Sequence, residues 1–231
     1  MLIDKVYSAV SQLANKDQVS GSLTPSEYNK YAELAQREYI EENYNPDNKL
    51  GYEGDFKNTD DLSNLKTPTS LTVLSGRATM PSDYLHFSSA YGTYLFGNSG
   101  RATPIELVRE GEWGERLASE VNKPSKTFPI MKSMGTYFEV YPLGMSNINL
   151  TYLKLPLQPW WNYTLSGSTP TFSNGTGITT NPNSGVASGA STDFTVGESA
   201  YDSLVQKILR YIGIEIREQD LYVMSRQEQN D

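Results

Sequence analysis

"MPSDYLHFSSAYGTYLFG" (residues 80–97) is the stretch on which the fold class turns. Pro81 suits a first helical position, and Asp83 follows it as a helix-start signal. Tyr84, Leu85, Phe87, Ser88, Tyr91 and Leu95 can then be buried together. Read this way, the stretch predicts a helix over 81–96.

On its N-terminal side, "TSLTVLSGRATM" (69–80) alternates and is rich in β-branched residues, predicting a strand over 70–79. The polar run from Pro46 to Lys66 reads as a loop, with at most a short helical turn near Asp60–Leu65. On the other side, "TPIELVR" (103–109) reads as a strand and "EGEWGERLAS" (110–119) as a short helix. "FPIMKSMGTYFEVYP" (128–142) predicts a hairpin turning at Met134–Gly135. "NINLTYLKLP" (147–156) predicts the next strand by alternation of Ile148, Leu150 and Tyr152.

Both ends predict helices. Leu2, Val6, Val10 and Leu13 recur at spacings of three and four over residues 2–14. Thr24, Pro25 and Glu27 form a capping box that opens a helix over 25–44. Its buried face is Tyr28, Tyr31, Ala32, Ala35 and Tyr39, and the two segments predict a helical hairpin. "ESAYDSLVQKILRYIG" (198–213) carries a wide apolar stripe ending at Gly213 as C-terminal cap. The expected fold class is therefore α+β: a helical bundle part, a small antiparallel β-sheet and a long Ser/Thr/Gly-rich arm. That arm is residues 162–197, whose composition cannot order itself as an apolar core. It predicts an extended arm or a long loop ordered against a partner, within a chain read as one domain over 1–231. Residues 214–231 form a tail with an apolar cluster at Leu221, Tyr222, Val223 and Met224.

Composition narrows function. With 231 residues, 37% hydrophobic and 20% charged, the chain supports a packed core. A net charge of −8 argues against coating nucleic acid, which needs clustered Lys and Arg, and against anionic membrane surfaces. No cysteine exists for disulfides or thiolate metal sites. No segment approaches the ~20 apolar residues of a membrane-spanning helix, and the N-terminus is no signal peptide. A soluble protein made in the cytoplasm is expected.

Chemistry is sparse. His86 is the only histidine, and nothing around "YLHFSS" resembles a nucleophile elbow, so a structural role is the expectation. Asp60 and Asp61 are adjacent and diverge, and no EF-hand spacing exists. The expectation is no catalytic residue, no metal and no cofactor. "QPWWNY" (158–163) is the one tempting binding motif: Trp160 and Trp161 either stack on sugars or divide between the core and a subunit interface. Asn149, Asn162 and Asn174 begin sequons that carry no weight without a secretory signal.

Four stretches taken in order resemble virion structural proteins of tailed phages. They are "GSLTPSEYNKYAELAQREYIEENY", "ATMPSDYLHFSSAYG", "PSKTFPIMKSMGTYFEVYP" with "NLTYLKLPLQPWW", and "ILRYIGIEIREQDLYVMSRQEQ". The nearest likeness is to neck or ring proteins of crAss-like phages, and more distantly to head-to-tail adaptors of short-tailed phages. The resemblance implies a homo-oligomeric ring, commonly dodecameric, below the portal. It implies contacts with the portal and other neck or tail proteins, genomic DNA passing through the lumen without specific binding, and no enzyme activity. The location implied is the neck or tail of the virion, after assembly in the host cytoplasm. Under it, Tyr28, Tyr31, Ala35, Tyr39, Trp160 and Trp161 are expected at the subunit interface. Leu221, Tyr222 and Met224 are expected to dock on the portal. Two other classes are carried forward: a receptor- or carbohydrate-binding tail protein using Trp160 and Trp161, and a small hydrolase, which would show a cleft with perturbed carboxylates.

Overall fold

The computed structural model describes residues 1–16, 23–44, 62–94, 102–167, 169–183 and 189–213. The chain divides into two compact units, one formed by Met1–Asn64 with Pro156–Asp231 and the other by Leu65–Leu155.

The Leu65–Leu155 unit overturns the expected fold class. It is an eight-stranded mixed sheet that nearly closes into a barrel, in place of a small antiparallel sheet beside a helical bundle. Its strands are β1 (Lys66–Leu74), β2 (Arg77–Thr79), β3 (Tyr84–Tyr94), β4 (Thr103–Pro104), β5 (Glu106–Leu107), β6 (Ile130–Ser133), β7 (Tyr137–Tyr141) and β8 (Met145–Lys154). Their order is β4-β3-β8-β1-β2-β7-β6-β5. The two outermost strands, β4 and β5, are consecutive in the chain with only Ile105 between them. Thr103 and Pro104 pair with β3, whereas Glu106 and Leu107 pair in parallel with β6. One short extended run thus stitches the two edges together, which removes the free edges that an open sheet must protect.

The helix expected over 81–96 is therefore strand β3, paired with β8 along its length. Pro81 and Asp83 lie in a turn instead of opening a helix. The Pro81 carbonyl accepts from the Tyr84 N–H at 3.1 Å, and the Asp83 carboxylate accepts from the Tyr152 hydroxyl at 2.7 Å. Alternation decides the matter: Ala90, Gly92 and Tyr94 point inward, while Tyr91 points out. The inward glycine fits its neighbour, because a Cβ at Gly92 would collide with the Met145 side chain. Two bulges earlier in β3, around Leu85 and Ser88, break the period-two pattern in sequence.

The single strand expected over 70–79 is instead the β1–β2 hairpin, whereas the hairpin at Met134–Gly135 and a strand within 147–156 form as expected. Ser75 and Gly76, both with positive φ, make the two-residue turn of the β1–β2 hairpin. Gly135, with φ +82, turns β6 into β7 as expected. Val73, Ala78, Ala90, Met131, Phe138, Val140, Ile148, Leu150 and Tyr152 fill the barrel interior. Helix α3 (Glu110–Ala118) has no buried residue. Lys132 holds it by an ion pair to Glu110 at 3.5 Å and a contact 5.1 Å over the Trp113 ring.

The other unit holds α1 (Leu2–Lys16), α2 (Pro25–Tyr44), the two-stranded hairpin β9 (Tyr163–Ser166) and β10 (Thr169–Phe172), and α4 (Tyr201–Tyr211). The capping box at Thr24 and Glu27 forms as the sequence implies. Helices α1 and α2 touch where the Tyr28 hydroxyl donates to the Ile3 carbonyl at 2.9 Å. They are no free-standing hairpin, however, since α4 packs on both.

Candidate functional site

The residues expected at a subunit interface lie mostly inside the first unit. Tyr28, Ala35 and Tyr39 are core residues of α2, and Trp161 is 1% exposed. Tyr7 stacks on the Trp161 ring at 3.8 Å, and Tyr163 lies at 5.6 Å. The Trp161 indole N–H donates to Asp4 at 3.1 Å. Asn29 brackets the same residue, accepting from its backbone N–H at 2.8 Å and donating to its carbonyl at 3.2 Å. These contacts leave no indole face for a sugar. Trp160 is half-buried and donates to the Thr179 hydroxyl at 3.2 Å. Tyr31 is half-buried and stacks on Tyr211 at 6.3 Å. Leu221, Tyr222 and Met224 lie outside the described residues.

What the sequence did not single out is the polar lock on residues 162–197. Asn162 is fully buried at its centre. Its amide nitrogen donates to the carbonyls of Thr179 at 2.9 Å and Gly189 at 2.6 Å. Its amide oxygen accepts from the Tyr163 N–H, the Thr179 N–H and the Thr179 hydroxyl. Gly177 has no Cβ because one there would overlap this amide. Asn181 and Asn183 extend the lock to Ala190, Thr192 and Gln158. Asp193 then accepts from the first N–H groups of α1, at 3.0 Å from Leu2 and 2.7 Å from Ile3, a helix N-terminal cap supplied from far along the chain. Phe194 and Val196 enter the core. The described residues of this segment are held by side-chain-to-backbone hydrogen bonds where apolar surface is scarce. A buried asparagine at its hub is also no sequon acceptor. The only advance signal was the density of Asn, Thr and Gly.

A second polar cluster joins α2 to α4. Glu38 accepts from Arg210, from the Tyr211 hydroxyl at 2.8 Å and from Lys207 at 3.3 Å, and Lys207 also pairs with Glu42 at 2.7 Å. The Arg210 guanidinium, with Tyr211 and Lys207, pushes the Glu38 carboxyl down to about 2. Burial pushes Tyr94 and Tyr152 up to about 12, and Tyr28 well above its ordinary value. Glu27 and Glu198 move down beside Thr24 and Lys5. Each of these shifts carries a group away from neutrality, the reverse of what an acid–base catalyst needs.

Two clefts lie on the surface among the described residues. One of about 180 Å³ is lined by Glu33, Gln36, Arg37, Leu157 and Asn183, and its wall is already tied by Gln36 to the Leu157 carbonyl at 2.9 Å. The other, about 410 Å³, is a shallow polar hollow beside α3 at Glu112, Glu115 and Arg116. Among the described residues no cluster of His, Asp or Glu has the makings of a metal site, and no helix is long and apolar enough to cross a membrane. No protein-family model matches the chain, and no curated protein sequence matches it.

Proposed function

We propose that this chain is a structural virion protein that assembles as an oligomeric neck or adaptor ring, joining the capsid portal to the tail and continuing the DNA channel. The reading starts from the four ordered stretches that resemble phage neck proteins. One structural observation supports it: the polar hubs of the first unit serve rigidity. Asn162, Asp193 and Glu38 each bind several groups of their own chain, and none is held ready for a substrate. A conduit that must keep its shape while DNA passes calls for such a build. A net charge of −8 keeps the polyanion from sticking to its wall.

Because Tyr28, Ala35, Tyr39 and Trp161 are used internally, the ring contact falls to side chains left outside. The exposed apolar residues Leu34 on α2, Leu165 on the β9–β10 hairpin and Ile178 are the candidates. Leu221, Tyr222 and Met224 remain the proposed portal anchors. Co-sedimentation with capsids tests the assignment. The full chain should pellet with portal-bearing capsids and stay in solution with portal-less ones; equal behaviour with both contradicts it.

A further inference from the structure

The barrel has two chemically distinct sides. Across β2, β7 and β6 runs a charged row, Arg77–Glu139–Lys132, set by register. Across β1, β8 and β3 there is no charged residue from Thr67 to Leu74, from Met145 to Leu153, or from Phe87 to Tyr94. In a chain that is 20% charged, three adjacent strands whose only charges, Lys66 and Lys154, sit at strand ends are a marked departure.

Register fixes what this side displays. Ser89, Thr151 and Pro68 form one rung, Tyr91, Asn149 and Ser70 the next, and Thr93, Asn147 and Thr72 the third. Their neighbours Ala90, Ile148, Leu150 and Val73 point into the core, so these side chains point out. Tyr91 is 47% exposed, and Ser70, Thr72, Asn147 and Asn149 are exposed as well. Among the described residues, the side chains of Ser70, Thr72, Tyr91, Asn147 and Asn149 have no hydrogen-bond partner in the chain. The face is an array of amides and hydroxyls, unbonded within the chain, around one aromatic ring.

We propose that this face binds a neutral saccharide chain. Sugar hydroxyls both donate and accept, which matches Asn amides and Ser/Thr hydroxyls, groups that also do both. The apolar C–H face of a pyranose fits the exposed Tyr91 ring, whose polar tip stays wet. A polyanion finds no cation within the three rungs; on these strands Lys66 stands one rung beyond Pro68 and Lys154 ends β8. Size argues against a second copy of the chain. Three strands spaced ~4.8 Å apart, over five residues of ~3.3 Å each, give on the order of 240 Å². A stable protein partner needs about 800 Å² on each side. A saccharide of a few rings needs no more than this face offers.

Affinity electrophoresis of the full chain tests the proposal, with dextran, mannan or galactomannan cast separately in native gels and heparin as the anionic control. The wild-type chain should be retarded by at least one neutral polysaccharide and not by heparin. Tyr91→Ala should weaken that retardation about tenfold or more, and Tyr91→Phe should retain most of it, because the ring is the platform. Asn149→Ala should weaken it too. Both positions are exposed, so circular dichroism should be unchanged. No retardation in any neutral polysaccharide, or undiminished retardation in the Tyr91→Ala, Asn149→Ala double variant, overturns the proposal. So does a drop in particle mass in Asn149→Glu without loss of saccharide binding, which would make the face a contact between copies.

Discussion

Replacing Asn162 by alanine removes the amide that ties Tyr163, Thr179 and Gly189 together. The change strands the Thr179 and Gly189 carbonyls and the Tyr163 and Thr179 N–H groups, in a site with no solvent exposure at the asparagine. Each buried polar group left without a partner costs about 1–3 kcal/mol. Water entering the space left by the side chain recovers part of that, so a net loss of about 3–4 kcal/mol is expected. For a chain of this size, each kcal/mol lowers the melting temperature by about 2–4 °C, giving a fall of about 6–16 °C. Differential scanning calorimetry with urea unfolding followed by tryptophan fluorescence measures it, because Trp160 and Trp161 sit beside the hub. Gly177→Ala should produce a comparable loss by driving a methyl group into the same amide. Thr179→Val, which deletes only the hydroxyl bond, should cost about 1 kcal/mol. A loss below about 1 kcal/mol for Asn162→Ala would refute the view that this network orders the segment.

Two further outcomes follow from the ion cluster and the barrel interior. Glu38 is held at about 2, below its unfolded value of 4.5, so its stabilisation is complete above that value and is lost as pH falls from about 5 toward 2. The full shift corresponds to ~3.4 kcal/mol, and with the side chain one quarter exposed a contribution of about 1–2 kcal/mol is expected after screening. Glu38→Gln should flatten acid unfolding measured over that range; an unchanged slope contradicts the assignment. Gly92→Ala should destabilise by about 1–3 kcal/mol in urea titration, because the Met145 side chain must move off β3 within a filled core. An unaffected midpoint would mean that the interior has room there.

The terminal helices were legible because their signals are local. Leu2, Val6 and Val10 carry the helical period, and Thr24 with Glu27 carries the cap. Strand β8 was legible through alternation of Ile148, Leu150 and Tyr152. Strand β3 was not, because Pro81 and Asp83 imitate a helix start and two bulges disturb its alternation. Its identity rests on pairing with β8, more than fifty residues away. Barrel closure depends on five residues, 103–107, serving two neighbours at once, a fact of register invisible in composition. The tyrosine and alanine face of α2 was readable as a buried face. What it packs against was not, since Trp161 and α4 reach it from distant sequence. Asn162 was hidden for a related reason: a polar hub is defined by the carbonyls around it, and these come from residues 179 and 189.

The proposed ring makes one demand above all, that copies of the chain close on one another. Native mass spectrometry of the purified full chain at low ionic strength, repeated in the presence of portal protein, addresses it directly. A closed species of about 310 kDa, some twelve copies of the 25.8-kDa chain, is expected, alone or once the portal is added. A monomer under both conditions, or a trimer that ignores the portal, would contradict it.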